Sequence, residues 1–280
     1  MKIAVSMWSF VHDFQGGKLD IEGFIHKAKE LGAEGVELLD FFWTDRNAEI
    51  GAVKAALKEL GMPVCTWAVG NDFVSPDPGK REESVRTVHQ GVEEAVNLNS
   101  QVVRVFSGTL SGEIPFDAAF SWIVEGLSAG AAYAVTHGVT LGLENHGKLA
   151  GRSDQVKAII GDVGSSALRA NIDTGNFLLV NQPPQEAVAD LADLTVSVHL
   201  KDFKAVCADY QGTALAALDG TRYAGTVIGE GDVDLPACLQ SLKDAGYRGY
   251  LSIEYEGEDD ATEGVARSIE NARRILSELG

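Results

Sequence analysis

Apolar residues along the chain alternate between two patterns. Short, nearly continuous apolar runs recur at KIAVSMW (2–8), GVELLD (35–40), PVCTWAV (63–69), QVVRVFS (101–107), GVTLGLEN (138–145), RANIDTG (169–175), TVSVHLKD (195–202) and GYLSIEYE (249–256). Runs of this length bounded by Gly, Asp or Asn read as buried strands. Between them the apolar positions take the spacing of a helix. In DIEGFIHKAKELG, Ile21, Phe24, Ile25, Ala28 and Leu31 share one face, and Gly32 is the stop. The same helix, glycine, strand order returns at AVKAALKELGMPV and LPACLQSLKDAGYRGYLSI, and a last helix is expected over about 260–279.

Eight strand-helix units with right-handed crossovers predict a parallel sheet that closes on itself, a (β/α)8 TIM barrel. The 280 residues fit one such α/β domain covering 1–280. One spacing departs from the rhythm. The connection from the seventh strand to the eighth, about 203–233, is long and rich in Gly, Ala and Thr, and is expected to be a lid or substrate-facing loop, or a surface insertion. Within it, GEGDVD (229–234) has no lysine and three acids, so it reads as a turn and helix cap before Leu235 and not as a phosphate loop.

Charge narrows the partners. Lys plus Arg number 23 against 41 Asp plus Glu, a formal net charge of −18, which disfavours nucleic acid and anionic membrane surfaces and favours a small, neutral substrate. Cys65, Cys207 and Cys238 form no close pair and are expected to be reduced, buried thiols. The amino terminus lacks the charge and apolar length of a signal peptide, no later apolar run looks long enough to span a bilayer, and a cytoplasmic location is the default.

The strand ends carry the chemistry. Glu144, Asp173, His199 and Glu254 end the fifth, sixth, seventh and eighth strands, so four consecutive strands deliver four ligand-type side chains to one rim. Carboxylates brought together there repel one another unless a cation lies between them. Oxygen-rich ligation with a single imidazole points to Mn2+ first, with Mg2+, Co2+ and Zn2+ as alternatives. Among nearby positions, His146 is placed to contact a substrate hydroxyl or protonate a leaving group. Lys201 is placed to neutralise a developing oxyanion, or else to pair with Asp202 or Glu230. Glu37 and Arg104 are charges inside apolar strands that pair with each other or reach the substrate, a structural ion pair within the barrel being the first reading. Trp8, Trp67, Phe106 and Phe177 fall near strand ends and serve as a sugar-pocket wall or as core. Arg222 in the long connection is the candidate mobile clamp.

The segments LGLENHG, IDTGNF, VHLKDF and GEGDVDLPACLQSLKDAGYRGYLSIEYEG resemble the xylose-isomerase-like barrel superfamily, in the branch holding tagatose and psicose epimerases and inosose dehydratases. The resemblance implies that Glu144, Asp173, His199 and Glu254 bind one divalent metal and that Glu144 and Glu254 also carry protons. It implies a sugar or polyol substrate and a homodimer. The family's epimerases have a substrate-binding histidine three residues after the aspartate, where this chain has Asn176. Proton transfer beside a carbonyl through an enediolate gives isomerisation or epimerisation, and loss of the β-hydroxyl from the same enediolate gives dehydration. Two other classes are weighed. An abasic-site endonuclease would need more strand-end histidines than six His in all supply, and a basic groove. A non-catalytic sugar-binding protein has no need of the carboxylate cluster.

Overall fold

The computed structural model describes residues 1–110 and 114–280. Eight parallel strands close into a barrel: β1 (Lys2–Ser6), β2 (Gly35–Leu39), β3 (Val64–Ala68), β4 (Val102–Val105), β5 (Thr140–Glu144), β6 (Leu168–Asp173), β7 (Thr195–Leu200) and, after three short strands outside it, β11 (Tyr250–Ile253). Neighbours in the wall follow the chain, and β1 closes the ring by pairing with both β2 and β11. This is the (β/α)8 barrel that the strand-helix rhythm predicts.

Local chemistry sets the helix limits. Asp20, Asp45, Asp77, Asp234 and Asp260 each accept a backbone N–H from the first turn of the helix they precede, satisfying donors that have no partner within the helix. Gly61 ends the helix that Asp45 caps, and Gly138 and Gly164 end two others, all in the left-handed conformation, with φ of 60°, 67° and 63°. The helix at Ile21–Glu30 buries Ile21, Phe24, Ile25 and Ala28 as its spacing predicts, and the last helix runs Ala261–Glu278.

Helix Phe116–His137, of 22 residues, is long and apolar enough by length and composition to cross a membrane, which the sequence reading did not anticipate. The barrel accounts for its apolar face: Ala119, Ile123, Leu127, Ala131 and Ala134 are buried, and a side chain at Gly126 would collide with the Phe73 ring.

Trp67 belongs to the outer layer and not to the mouth. It is fully buried, its ring centroid is 5.8 Å from that of Trp43, the Arg46 guanidinium lies 4.4 Å from it, and a Cβ at Gly91 of helix Pro78–Asn97 would stand 3.6 Å from it. The strand therefore turns this ring toward the helices and away from any sugar pocket. Of the cysteines, Cys238 is buried and Cys65 half-buried, but Cys207 is exposed, because it falls beyond the barrel strand.

The long connection is built as a small antiparallel sheet in the order β8-β10-β9, from β8 (Phe203–Val206), β9 (Leu215–Ala216) and β10 (Arg222–Gly225). Its base is closed by Asp202. The carboxylate accepts N–H groups from Phe203 (2.9 Å), Gly229 (2.9 Å), Gly231 (2.9 Å) and Val233 (3.1 Å). A side chain at Gly231 would collide with that carboxylate, so only glycine fits. GEGDVD is thus a turn wrapped on Asp202, and Asp234 caps the helix at Leu235–Asp244.

Candidate metal centre

Strand register levels the site. Asp173 of β6 lies opposite His199 of β7, which lies opposite Ser252 of β11. Glu254, two residues on, donates its N–H to Leu200 O at 3.0 Å. Glu144 closes β5 beside Asn171, two residues before Asp173. Glu144, Asp173, His199 and Glu254 are all buried, and each offers one ligand atom within 4.8 Å of the others.

The donor set fits a divalent cation. Nε2 of His199 is 2.9 Å from Glu37 Oε2, and a carboxylate only accepts, so Nε2–H donates and Nδ1 is left to face the cluster. That Nδ1 lies 3.5 Å from Glu254 Oε2, 3.8 Å from Glu144 Oε2 and 4.0 Å from Asp173 Oδ2. His199 Nδ1 is buried without a hydrogen-bond partner, the expected state of an atom that would ligate a metal, and the buried oxygens Asp173 Oδ2 and Glu254 Oε2 face the same space in ion-pair contact with the Lys201 ammonium. A carboxylate behind a ligating imidazole fixes its tautomer and orientation.

Around the donors the structure supplies partners that the sequence showed only as isolated charges. Glu37 and Arg104 do not pair with each other. Glu37 accepts from Ser6 Oγ at 2.9 Å and holds His199, whereas Arg104 puts Nε 3.2 Å from Glu144 Oε2, donates Nη1–H to Val69 O at 2.9 Å, and lies 3.9 Å over the Phe106 ring. Lys201 pairs neither with Asp202 nor with Glu230. Its Nζ stands 2.9 Å from Asp173 Oδ2, 2.8 Å from Glu254 Oε2 and 3.1 Å from Glu256 Oε1, at ion-pair distance from two donors.

The charges shift one another. Burial pushes the Asp173 carboxyl up to about 7, against the pull of Lys201 and with the push of Glu254 and Glu144. Burial also opposes charge on His199, but Glu37, Glu254 and Glu144 outweigh it and hold the imidazole well above its ordinary range. Glu254 goes the other way: burial would raise it, and Lys201 and His199 drive it well below the usual carboxylate range. Nearby, burial and Glu37 push the Cys65 thiol up to about 12, which keeps it in the thiol form.

The remaining candidates divide. Asn176 is buried against the site, donating Nδ2–H to Glu144 Oε1 at 3.3 Å and to Asn145 O at 3.1 Å. Trp8 is half-buried and donates Nε1–H to Glu256 Oε1 at 2.8 Å. His146 is exposed, with its ring 4.8 Å from that of Phe106. Phe177 is fully buried core. Arg222 does not reach the centre: its Nη1 donates to Ala208 O at 3.0 Å and Tyr210 O at 3.4 Å, stapling the small sheet. Sequence reasoning missed two site residues. Asn145 bridges the ends of β5 and β6 by donating to Asp173 O at 2.9 Å and accepting Asp173 N–H at 2.6 Å, and Glu256 joins Trp8 to Lys201. Both lie in quoted motifs, next to or two residues from a donor, which was the available signal.

The chain matches the family model described as xylose isomerase-like TIM barrel over residues 25–275. It is 24% identical over 243 residues to an inosose dehydratase of Clostridium perfringens, covering 82% of this chain and 81% of that protein. Among solved structures, a D-tagatose 3-epimerase-like protein superposes with a TM-score of 0.78 at 20% identity, covering all of both chains. A xylose isomerase-like TIM barrel protein from Mycobacterium smegmatis, in complex with magnesium, superposes with a TM-score of 0.74 at 19% identity, covering 99% of this chain and 96% of the other.

Proposed function

Because the chain belongs to the xylose isomerase-like TIM barrel family, we propose that it is a divalent-metal-dependent isomerase or epimerase of a keto-sugar or related polyol, working through an enediolate. The observation that carries the reading is the placement of two glutamates at the two ends of one arc of strands. Glu144 comes from β5 and Glu254 follows β11, with Asp173 and His199 between them and all four ligand atoms within 4.8 Å of one another.

A bound cation, Mn2+ by first choice for this oxygen-rich set, would supply Lewis acidity toward a carbonyl and its neighbouring hydroxyl. Glu144, Asp173, His199 and Glu254 would hold it. The chain's own residues then handle the proton. One glutamate takes it from the carbon beside the carbonyl and the other returns it, which inverts that centre or moves the carbonyl. Trp8 and Phe106 flank the mouth, His146 contacts a hydroxyl at its open side, and Asn176, beside Glu144, fixes another.

A second reading, dehydration, rests on Lys201. Its ammonium, 2.8 Å from Glu254 Oε2, would give a proton to a departing β-hydroxyl, which leaves as water, and an inosose dehydratase stands among the relatives. Incubation with keto-sugars and inososes in D2O with Mn2+ separates the two. Epimerase or isomerase chemistry returns sugar labelled beside the carbonyl and otherwise of unchanged mass, whereas a dehydratase releases an unsaturated ketone lighter by one water. Neither label nor water loss, with metal bound, retires both readings in favour of a binding protein.

A further inference from the structure

Lys201, Glu256 and Trp8 form a chain of contacts at the centre that the proposed proton transfer does not use. The Lys201 ammonium is shared between two donor oxygens, Asp173 Oδ2 at 2.9 Å and Glu254 Oε2 at 2.8 Å, and a third carboxylate oxygen, Glu256 Oε1 at 3.1 Å. The Lys201 side chain is 7% exposed and that of Glu256 24%, so Glu256 is the member on the solvent side. Trp8 donates its indole N–H to the same Glu256 oxygen at 2.8 Å, which fixes the carboxylate where the ammonium meets it.

An ammonium this close to two donor oxygens works against a divalent cation in two ways. It draws on lone pairs that the cation would use, and it adds a like charge inside a buried site where screening is weak. Glu256 acts in the opposite sense by giving the ammonium a partner that is not a donor. We propose that Glu256, held by Trp8, is a positioning residue that draws the Lys201 ammonium off Asp173 and Glu254 and thereby sets how tightly the centre holds its divalent cation. This inference rests on the reading of the four buried residues as a metal centre. Glu256 would also attract a cation directly through its own charge, but that effect does not depend on Lys201, and the difference makes the idea testable.

The test is a calorimetric titration of Mn2+ into the metal-stripped full chain, as wild type, Glu256→Gln, Lys201→Met and the double variant, with the fold of each checked by circular dichroism. Losing a charge-assisted partner of the ammonium should weaken Mn2+ binding roughly tenfold in Glu256→Gln. Lys201→Met should bind at least as tightly as wild type, and the double variant should fall below Lys201→Met by much less than Glu256→Gln falls below wild type, the small remainder being the direct attraction of Glu256, so that removing the lysine rescues most of the loss of the glutamate. Trp8→Phe, made with and without Lys201→Met, repeats the test without touching a charge. A smaller loss is expected only where Lys201 is present, and this pair decides the matter if Glu256→Gln does not fold. An equal loss with and without Lys201, or no loss at all, overturns the inference and leaves the metal centre standing. Wild-type protein that takes up no Mn2+ overturns the metal reading and this inference with it.

Discussion

The two halves of the barrel mouth carry different work. The arc β5, β6, β7 and β11 presents the four metal-donor candidates, Glu144, Asp173, His199 and Glu254. The arc β1 to β4 presents none of these and instead braces them: Glu37 of β2 reaches His199 across the barrel, Arg104 of β4 meets Glu144 of the neighbouring β5, and Trp8, just after β1, holds Glu256, two residues beyond Glu254. A donor cluster on one wall is therefore oriented by the other wall. Substitutions in the two arcs should fail differently, the first by losing the cation and the second by loosening it.

The sharpest break of that contrast is in the donor arc. Asp173→Ala or His199→Ala should abolish stoichiometric divalent metal, measured by elemental analysis, while the circular dichroism spectrum stays that of the barrel, because the donors lie at the rim. Glu254→Gln comes next: it keeps an oxygen at the centre but removes the proposed base, so turnover should fall by a factor on the order of 10² or more with substrate affinity and part of the metal retained. In the supporting arc, Glu37→Ala should weaken metal affinity about 10- to 100-fold without abolishing it, through loss of the acceptor behind His199. Loss of all metal in Glu37→Ala would erase the distinction between the arcs.

Acidity gives a gentler test of the donor arc alone. Asp173 titrates near 7 in the metal-free fold because it is buried, so between its ordinary value and about 7 the folded state holds a proton that the unfolded state has released. Metal-free protein should therefore lose stability as pH rises through that window. His199, raised well above its ordinary range, adds stability that is likewise lost as pH rises through its folded value. A cation displaces these protons, so the gap in Tm between metal-loaded and metal-free protein should widen from about pH 5 to about pH 8. A gap that is flat or narrows contradicts this linkage. The smallest effect is expected outside both arcs: Arg222→Ala should lower stability by about 1 kcal/mol or less and leave Mn2+ affinity unchanged, with thermal melts and titration as the measurements.

Much of the donor arc was legible in the sequence because each of its residues ends an apolar run, and strands of a parallel barrel all end on one face. Helix limits were legible for the same local reason, as Gly32 and Asp234 show. The supporting arc was not. Glu37 and Arg104 stood out as charges in apolar strands, but which carboxylate or imidazole each meets depends on register across the barrel, more than 150 residues away in the chain for Glu37 and His199. The choice between pocket wall and core stayed open for Trp67 because a strand buried on both faces gives no alternation to say which way a ring points. The sheet at 203–225 escaped notice because its strands are short and lack an apolar period, and the exposure of Cys207 went with it.

The pinch at Asp202 has a consequence for how this barrel tolerates change. The excursion leaves and rejoins the wall at one knot. Besides the four N–H groups on the Asp202 carboxylate, Thr226 N–H donates to Asp202 O at 3.1 Å and Asp232 N–H to Phe203 O at 2.8 Å. With its ends already tied, the tip of the excursion can gain or lose residues at only the slowly growing entropy of a longer closed loop. The segment from Cys207 to Thr221, held to the barrel by Tyr210 on Glu258 at 3.1 Å and Leu218 N–H on Leu179 O at 3.0 Å, should therefore accept redesign or an inserted sensor domain near its tip while the barrel beneath keeps its register.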